Sequence, residues 1–519
     1  MRGLGLLSGL HSCHDNGPAM NTHTRHLSGI ICVIFPVLLC LGTGGQAAGP
    51  DGNTKESLVR AVQPAGLEVL VGPAQVTLPD GRKVDVPQTR LSFAGPEIRE
   101  TVVAGKAPRD HADWYNAWDP WPDSKFDPKS KGIPNTLDLS PKHDSQGTPI
   151  LGHLFRAFLP ETVVLTTADG SRTFERDKDY RFNADWAQIA GLEGRLGKPN
   201  EAELRATAKY ALQRLDLIQV DPAGKVTVKQ GQPAVVCPEL PHADEGRAAL
   251  AGIYIAAWRA EANPHFDGGN RPKSPGGYAI TQHEIFPIHP APPVPPVNKK
   301  AVTKSHKLLA EGRELKIAFM GASITVGAEA PAWWADLWTD KNRGFPSQVV
   351  VGLRDRFPKA TVTPLAACQG GTTTRYGLKI IDETVVPARA DLLLVDFGGN
   401  DAGGPVGKEP TNPPGPFKED MRTIIRKAQA AGMEVIVVVG EAGSPWAGNK
   451  SFERWPAYRQ AMLEVSAEEN VAAADVCTEM AQLAARGIPP YSQLHNCLNH
   501  PGVLGHRVYA DVILRLFEP

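Results

Sequence analysis

Two rhythms of apolar and polar positions divide this chain. Between about residues 55 and 290 the period is mostly two, as in half-buried strands. Leu67–Val71 and Gln75–Leu78 lead into Pro79-Asp80-Gly81, and Lys83–Val86 returns, which is hairpin chemistry. The pattern recurs at Thr162–Thr166 and Thr173–Glu175 around Asp169-Gly170. It recurs again at Leu215–Val220 and Lys225–Val228 around Asp221–Gly224. One helix is expected to interrupt, roughly from Glu201 to Tyr210. Short strands joined by Gly/Asp turns predict a β-rich, sandwich-like domain over 55–285.

From about 313 the rhythm changes to short apolar runs alternating with helical spacing. Strand 315–320 precedes a helix near 345–357, where Val349, Val350, Leu353 and Phe357 share a face. Strand 361–366 precedes a helix near 376–386, and strand 391–397 a helix at 417–431 stopped by Gly432. Strand 434–439, a helix near 453–468, strand 471–476 and a last helix from about 502 to 516 complete the series. Strands buried on both faces and separated by helices predict a parallel, three-layer α/β domain over 313–519. Between the two regions, Phe286–Val297 is dense in proline, and 286–312 reads as a semi-rigid spacer.

Composition narrows the partners. The chain has 519 residues, 21% of them charged, with a net charge of −1, which gives no footprint for nucleic acid. Arg25 and His26 precede the apolar run Leu27–Leu41, and small residues follow to Ala48. That is the pattern of a cleaved export signal over 1–48, with Met20 as a well-placed start. The mature protein is then expected to be exported, with no stable membrane insertion. Of seven cysteines, Cys237, Cys368, Cys477 and Cys497 remain after such cleavage, an even number that permits disulfides without assigning them. No metal-ligand spacing occurs, and no cofactor is expected. Trp114, Tyr115, Trp118 and Trp121, interleaved with Asp113, Asp119 and Asp123, either stack on sugar faces or pin a long loop.

The candidate chemistry begins where strand 315–320 ends, at Gly321-Ala322-Ser323. A serine at the C-terminal edge of a strand of an open α/β sheet is placed to be a nucleophile. Three further blocks follow in order: Gly370-Gly371-Thr372-Thr373, Gly398-Gly399-Asn400-Asp401, and Asn499-His500-Pro501-Gly502. Together the four blocks resemble the SGNH hydrolase (GDSL-like esterase) superfamily over about the last 205 residues. The resemblance implies Ser323 as nucleophile, His500 as base, and an oxyanion hole from Ser323, Gly371 and Asn400. Two positions depart from the family pattern. Ala322 stands where an aspartate usually precedes the serine, and Cys497 stands where the third triad member usually lies. That leaves either a Ser–His dyad steadied by a backbone carbonyl, or Asn496 as a substitute. His506 is expected to help fix the last helix.

The function that follows is an exported serine ester hydrolase acting through an acyl-enzyme. By resemblance its substrates are O-acetyl or other short acyl groups on carbohydrates. The rival readings are a carbohydrate-binding or structural protein on a decayed hydrolase fold, and a lipid or thioester hydrolase. Oligomeric state is not set by the sequence.

Overall fold

In the computed structural model, five parallel strands lie side by side in the C-terminal half. Their order is Thr361–Cys368, Glu314–Gly321, Leu392–Asp396, Glu434–Val439, Ala472–Asp475. The structure describes residues 58–61, 67–110, 136–141, 156–184, 187–257, 283–291, 293, 296–330, 337–404, 408–441, 443–444 and 451–518. The segment expected to be an export signal, with Met20, and the Trp114–Trp121 cluster lie outside the described residues.

Each sheet strand sends alternate side chains to opposite layers. Ile317 and Phe319 face the layer made by helices Thr303–Ala310, Phe345–Arg356, Val476–Ala485 and Val503–Leu514, in a core with Val349, Leu353, Val508, Val512 and Ile513. The opposite layer is built by Thr374–Ile380, Pro414–Ala430 and Ser451–Glu468, which bury Phe417, Met421, Ile424 and Met462. This is the three-layer α/β architecture that the apolar runs predict. Because the strand order reverses between Glu314–Gly321 and Leu392–Asp396, the crevice for a ligand opens at the C-terminal ends of those two strands.

The N-terminal region is rich in antiparallel strands. A sheet of Val59–Ala61, Glu68–Val71 and Thr89–Ser92 packs on a four-stranded sheet of Val226–Lys229, Arg214–Val220, Ala248–Ile255 and His283–Pro287. Between them sit Val69, Val71, Ile218, Val220 and Ile253. A second four-stranded sheet joins Glu97–Lys106, Glu203–Leu212, Phe158–Thr167 and Thr173–Phe174. The helix expected at 201–210 is therefore a strand. Its Ala, Glu, Leu and Lys residues favour helix in isolation, but Leu204, Ala206, Ala208 and Tyr210 alternate inward and strands pair along both edges.

The spacer expected over 286–312 is shorter than its proline content suggests. Phe286 and Pro287 complete a strand, and Ile288 and His289 donate backbone hydrogen bonds to Leu250 (2.8 Å) and Ala485 (3.1 Å). Residues 303–310 form a helix whose Leu308 and Leu309 enter the α/β core. The described residues fall in one compact unit. One segment joins the two halves most closely: the loop at 490–502, described next, has Cys497 and Leu498 buried in the core of the β-rich region beside Tyr254 and Leu215.

Candidate active site

Ser323 begins a single helical turn, Ser323–Val326, directly after the strand Glu314–Gly321. The turn must fold back tightly on the strand end. A side chain at Gly321 would collide with Thr325 Oγ1 and with the carbonyl of Asp396 on the neighbouring strand. Thr325 Oγ1 in turn donates to Asp396 Oδ2 at 2.9 Å, tying the serine turn to the next strand. This bond supports the loop where the family's aspartate would stand in place of Ala322. Burial pushes the Asp396 carboxyl up to about 7, with the Thr325 hydrogen bond acting against it.

The oxyanion side assembles from two loops. Gly371 has φ +75°, the left-handed region that glycine favours, in the turn after Thr361–Cys368. Asn400 sits in the short helix Gly399–Ala402 and donates Nδ2–H to the carbonyl of Thr372 at 2.9 Å. That bond uses one amide hydrogen and locks the two loops together, leaving the second hydrogen for a ligand. Beneath them the buried Asp401 accepts from Thr374 N (3.1 Å), Thr374 Oγ1 (2.6 Å) and Gly398 N (3.2 Å). Tyr458 Oη ties the same turn to Asn412 with a 2.6 Å bond.

The histidine side is built differently. His500 Nε2 lies 2.8 Å from Ser323 Oγ, so the two residues meet as a nucleophile and base must. The loop that carries His500 is closed by His495 N–H to His500 O (2.9 Å) and Gly502 N–H to Gln493 O (2.9 Å). Its back is held by the β-rich region. Gln493 Nε2 donates to Pro238 O at 3.0 Å, Gln213 Nε2 approaches Cys497 Sγ at 3.6 Å, and Tyr491 meets the Tyr254 and Phe286 rings edge-on.

The position expected to carry the third triad member is thereby explained. Cys497, with φ +61°, turns its side chain away from the imidazole and into the β-rich core. Among the described residues Cys237, Cys368, Cys477 and Cys497 form no disulfide with one another. Asn496 does reach the ring, with Nδ2 3.1 Å from His500 Nδ1. Its Oδ1, however, is taken by the backbone N–H groups of Leu498, Asn499 and His500, each at 3.0 Å. Only its NH₂ can face the ring, so Asn496 cannot accept a proton-bearing Nδ1.

A carboxylate that the spacing of the motifs does not reveal stands behind the ring instead. Glu329 Oε1 lies 3.8 Å from His500 Nδ1, and its Oε2 lies 3.4 Å from His495 Nδ1. Burial would raise this carboxyl, but the two imidazoles outweigh it and hold it down at about 2. Glu329 has φ +69°, a strained conformation for glutamate that the surroundings must impose. One constraint comes from His506. Phe345 N–H donates to its Nδ1 (3.3 Å), so Nε2–H donates to the carbonyl of Ala328 (3.2 Å). Burial pushes His506 down to about 4, which keeps it neutral and able to hold that tautomer. The last helix thus fixes the loop carrying Glu329. The sequence signal was a lone acid among small residues in Val326-Gly-Ala-Glu329-Ala, just past the nucleophile.

Ser323, Gly371 and Asn400 line one cavity of about 320 Å³, together with Thr373, Asp396, Gly403, Thr411, Glu441, Trp455 and Asn499. Among the described residues no group of three or more His, Cys, Asp or Glu is placed to hold a metal ion. Nor is any helix among them long and apolar enough to cross a membrane.

Residues 319–508 match the model of the GDSL-like Lipase/Acylhydrolase family. The C-terminal domain is an SGNH hydrolase domain. No curated protein matches the chain. Solved structures similar to the SGNH domain include LAE5, an alpha/beta hydrolase enzyme from the metagenome of Lake Arreo, Spain. It has 18% identity over 39% of this chain and 94% of its own, with a TM-score of 0.34. Axe2, an acetylxylan esterase from Geobacillus stearothermophilus, has 19% identity over 40% of this chain and 94% of its own, with a TM-score of 0.35. CEX, a two-domain esterase active on acetylated mannans, has 19% identity over 43% of this chain and 56% of its own, with a TM-score of 0.34. In the SGNH domain Ser323, Gly371, Asn400 and His500 occupy one site, as the four blocks imply, and the acid beside them is Glu329.

Proposed function

We propose that this protein is an exported serine ester hydrolase that removes short acyl groups, O-acetyl groups above all, from carbohydrates. The observation that carries the hydrolase reading is the 2.8 Å contact between Ser323 Oγ and His500 Nε2, with the Glu329 carboxylate behind the ring. The Glu329 carboxylate, 3.8 Å from Nδ1, is placed to balance the positive charge that the ring gains as Nε2 takes the serine proton. Ser323 Oγ then attacks the ester carbonyl, and the developing oxyanion receives the free Asn400 N–H and the backbone N–H groups of Gly371 and Ser323. The imidazolium, its charge balanced by Glu329, gives its proton to the leaving alkoxide. Water repeats the sequence on the acyl-enzyme with His500 as base.

A cavity of about 320 Å³ bordered by Gly399, Gly403 and Gly404 suits a short acyl group. Thr373, Thr411, Asn400 and Glu441 on its walls suit a polar alcohol as leaving group. Export rests on the apolar run Leu27–Leu41 and the small residues up to Ala48.

The test is acetate release from acetylated xylan and mannan, with fluorophosphonate labelling. The protein is expected to release acetate and to label at Ser323. Ser323→Ala is expected to lose at least about 10³-fold in turnover with an unchanged melting temperature. Turnover by that variant above roughly a tenth of the parent would overturn the mechanism.

A further inference from the structure

Two polar groups in the wall of the Ser323 cavity are not used by the mechanism above. Glu441 follows the strand Glu434–Val439, and Trp455 lies on the helix Ser451–Glu468. Both line the cavity, and both are more than nine-tenths buried, at 8% and 3% exposure. Glu441 Oε1 and Trp455 Nε1 have no hydrogen-bond partner among the described residues. Native interiors rarely leave buried polar atoms unsatisfied, and where such atoms border a cavity they call for a role or an occupant.

Both groups are held in place from behind. The backbone N–H of Glu441 donates to Tyr509 Oη at 2.9 Å, fixing the residue against the last helix. The Trp455 ring packs on the turn before Asn400, where a side chain at Gly398 would meet its Cζ3 at 3.1 Å. Their fixed positions put an indole N–H, which can only donate, and a carboxyl in the wall of one cavity. Burial pushes the Glu441 carboxyl up to about 8, so near neutrality it holds a proton and can both donate and accept. A carboxylate facing a cationic ligand would be favoured as the charged form. A neutral carboxyl and an indole N–H in the same cavity wall suit uncharged hydroxyls.

We propose that Glu441 and Trp455 form a hydroxyl-recognition subsite, which binds free hydroxyl groups of a sugar-type alcohol next to the ester being cleaved. This rests on the esterase reading and sharpens its substrate class. Trp455 Nε1–H donates to a substrate hydroxyl oxygen, and Glu441 exchanges hydrogen bonds with the same or a neighbouring hydroxyl. A site built to bond a hydroxyl discriminates strongly against partners that lack it, because its own buried groups are then left unpaired.

The experiment uses the full chain and two esters, a mono-O-acetylated methyl xyloside with its other hydroxyls free, and 4-nitrophenyl acetate. The readout is the ratio of their kcat/KM values. Glu441→Leu and Trp455→Phe are each expected to lower that ratio by about tenfold or more. Glu441→Gln, which keeps a donor and an acceptor, is expected to hold it within about threefold. Melting temperatures confirm that each variant is folded. A ratio unchanged in Glu441→Leu and Trp455→Phe, because both esters fall alike or neither falls, would overturn the subsite. So would a loss in Glu441→Gln as large as in Glu441→Leu, since that would require the charge rather than the hydrogen bonds. If the parent protein cleaves 4-nitrophenyl acetate but not the xyloside ester, the carbohydrate reading itself fails, and the subsite falls with it.

Discussion

Ser323 and Asn400 stand at the ends of adjacent strands of one parallel sheet, whereas His500 stands on a loop whose back lies in the core of the β-rich region. The oxyanion side is held by bonds internal to the SGNH domain: Thr325 to Asp396, Asn400 to Thr372, and Thr374 to Asp401. The histidine side draws on Gln213, Pro238 and Tyr254 from the first region, and on Glu329, which His495 contacts, behind the ring. One side of the site is thus a property of the sheet. The other is a property of the joint between two regions, where the β-rich region holds the back of the loop that carries His500.

The sharpest way to break this comparison is to remove the acid on the histidine side. Glu329→Gln keeps the shape and removes the charge. It is expected to lower kcat by about 10³-fold, somewhat less than the loss of an ordinary triad aspartate, because Asn496 still touches the ring. Steady-state kinetics beside a melting temperature check this, and a loss of less than about tenfold in a folded variant would remove Glu329 from the catalytic set.

On the sheet side, Asn400→Ala is expected to cost about 10²–10³-fold in kcat with little change in KM, because the oxyanion exists only after attack. Steady-state kinetics on a short-chain nitrophenyl ester separate the two parameters. An effect on KM alone would make Asn400 a binding residue instead.

The joint itself is probed at Cys497. Cys497→Asp does not restore a triad, because the side chain points into the β-rich core and is 2% exposed. It is expected to lower stability by about 3 kcal/mol in urea unfolding, the consequence of burying an unpaired carboxyl. Cys497→Ala is expected to change kcat by less than about threefold, since the thiol touches no reacting atom.

The smallest effect is an acid sensitivity with two steps. His506 is held down at about 4 from an ordinary 6.5, so the stability of its neutral form is complete above pH 6.5 and lost as pH falls toward 4. Glu329 is held at about 2 from an ordinary 4.5, so its contribution is complete above pH 4.5 and lost as pH falls toward 2. Urea midpoints measured across this range should fall through both windows in the parent protein. Glu329→Gln should lose the lower step and keep the upper one.

Much of this was written locally. The strands of the SGNH domain are apolar on both faces, so Ile317–Met320, Leu392–Val395 and Val435–Val439 read as buried parallel strands without further context. The nucleophile and oxyanion residues are legible because each sits in a turn next to its strand, where short-range sequence decides the backbone. Less local features were harder to read. Glu203–Leu212 has helix-forming residues, yet pairs as a strand because neighbours lie on both edges. The helix Thr303–Ala310 was hidden behind proline-rich sequence, although its Leu308 and Leu309 complete the α/β core.

The sequence by itself determined the parallel sheet and the order of the four blocks, because its periodicity sets which faces are buried. That Ser323, Gly371, Asn400 and His500 meet was what the resemblance implied. Only the tertiary structure decided what stands behind His500. Glu329 and His495 are 166 positions apart and carry no mutual spacing rule, so their contact exists only once the last helix, through His506, has pinned the loop after Ser323. Likewise Cys497 has the spacing of a triad residue but not its direction. A positive φ and the pull of an apolar core turned it away, and neither can be read from its neighbours in the chain.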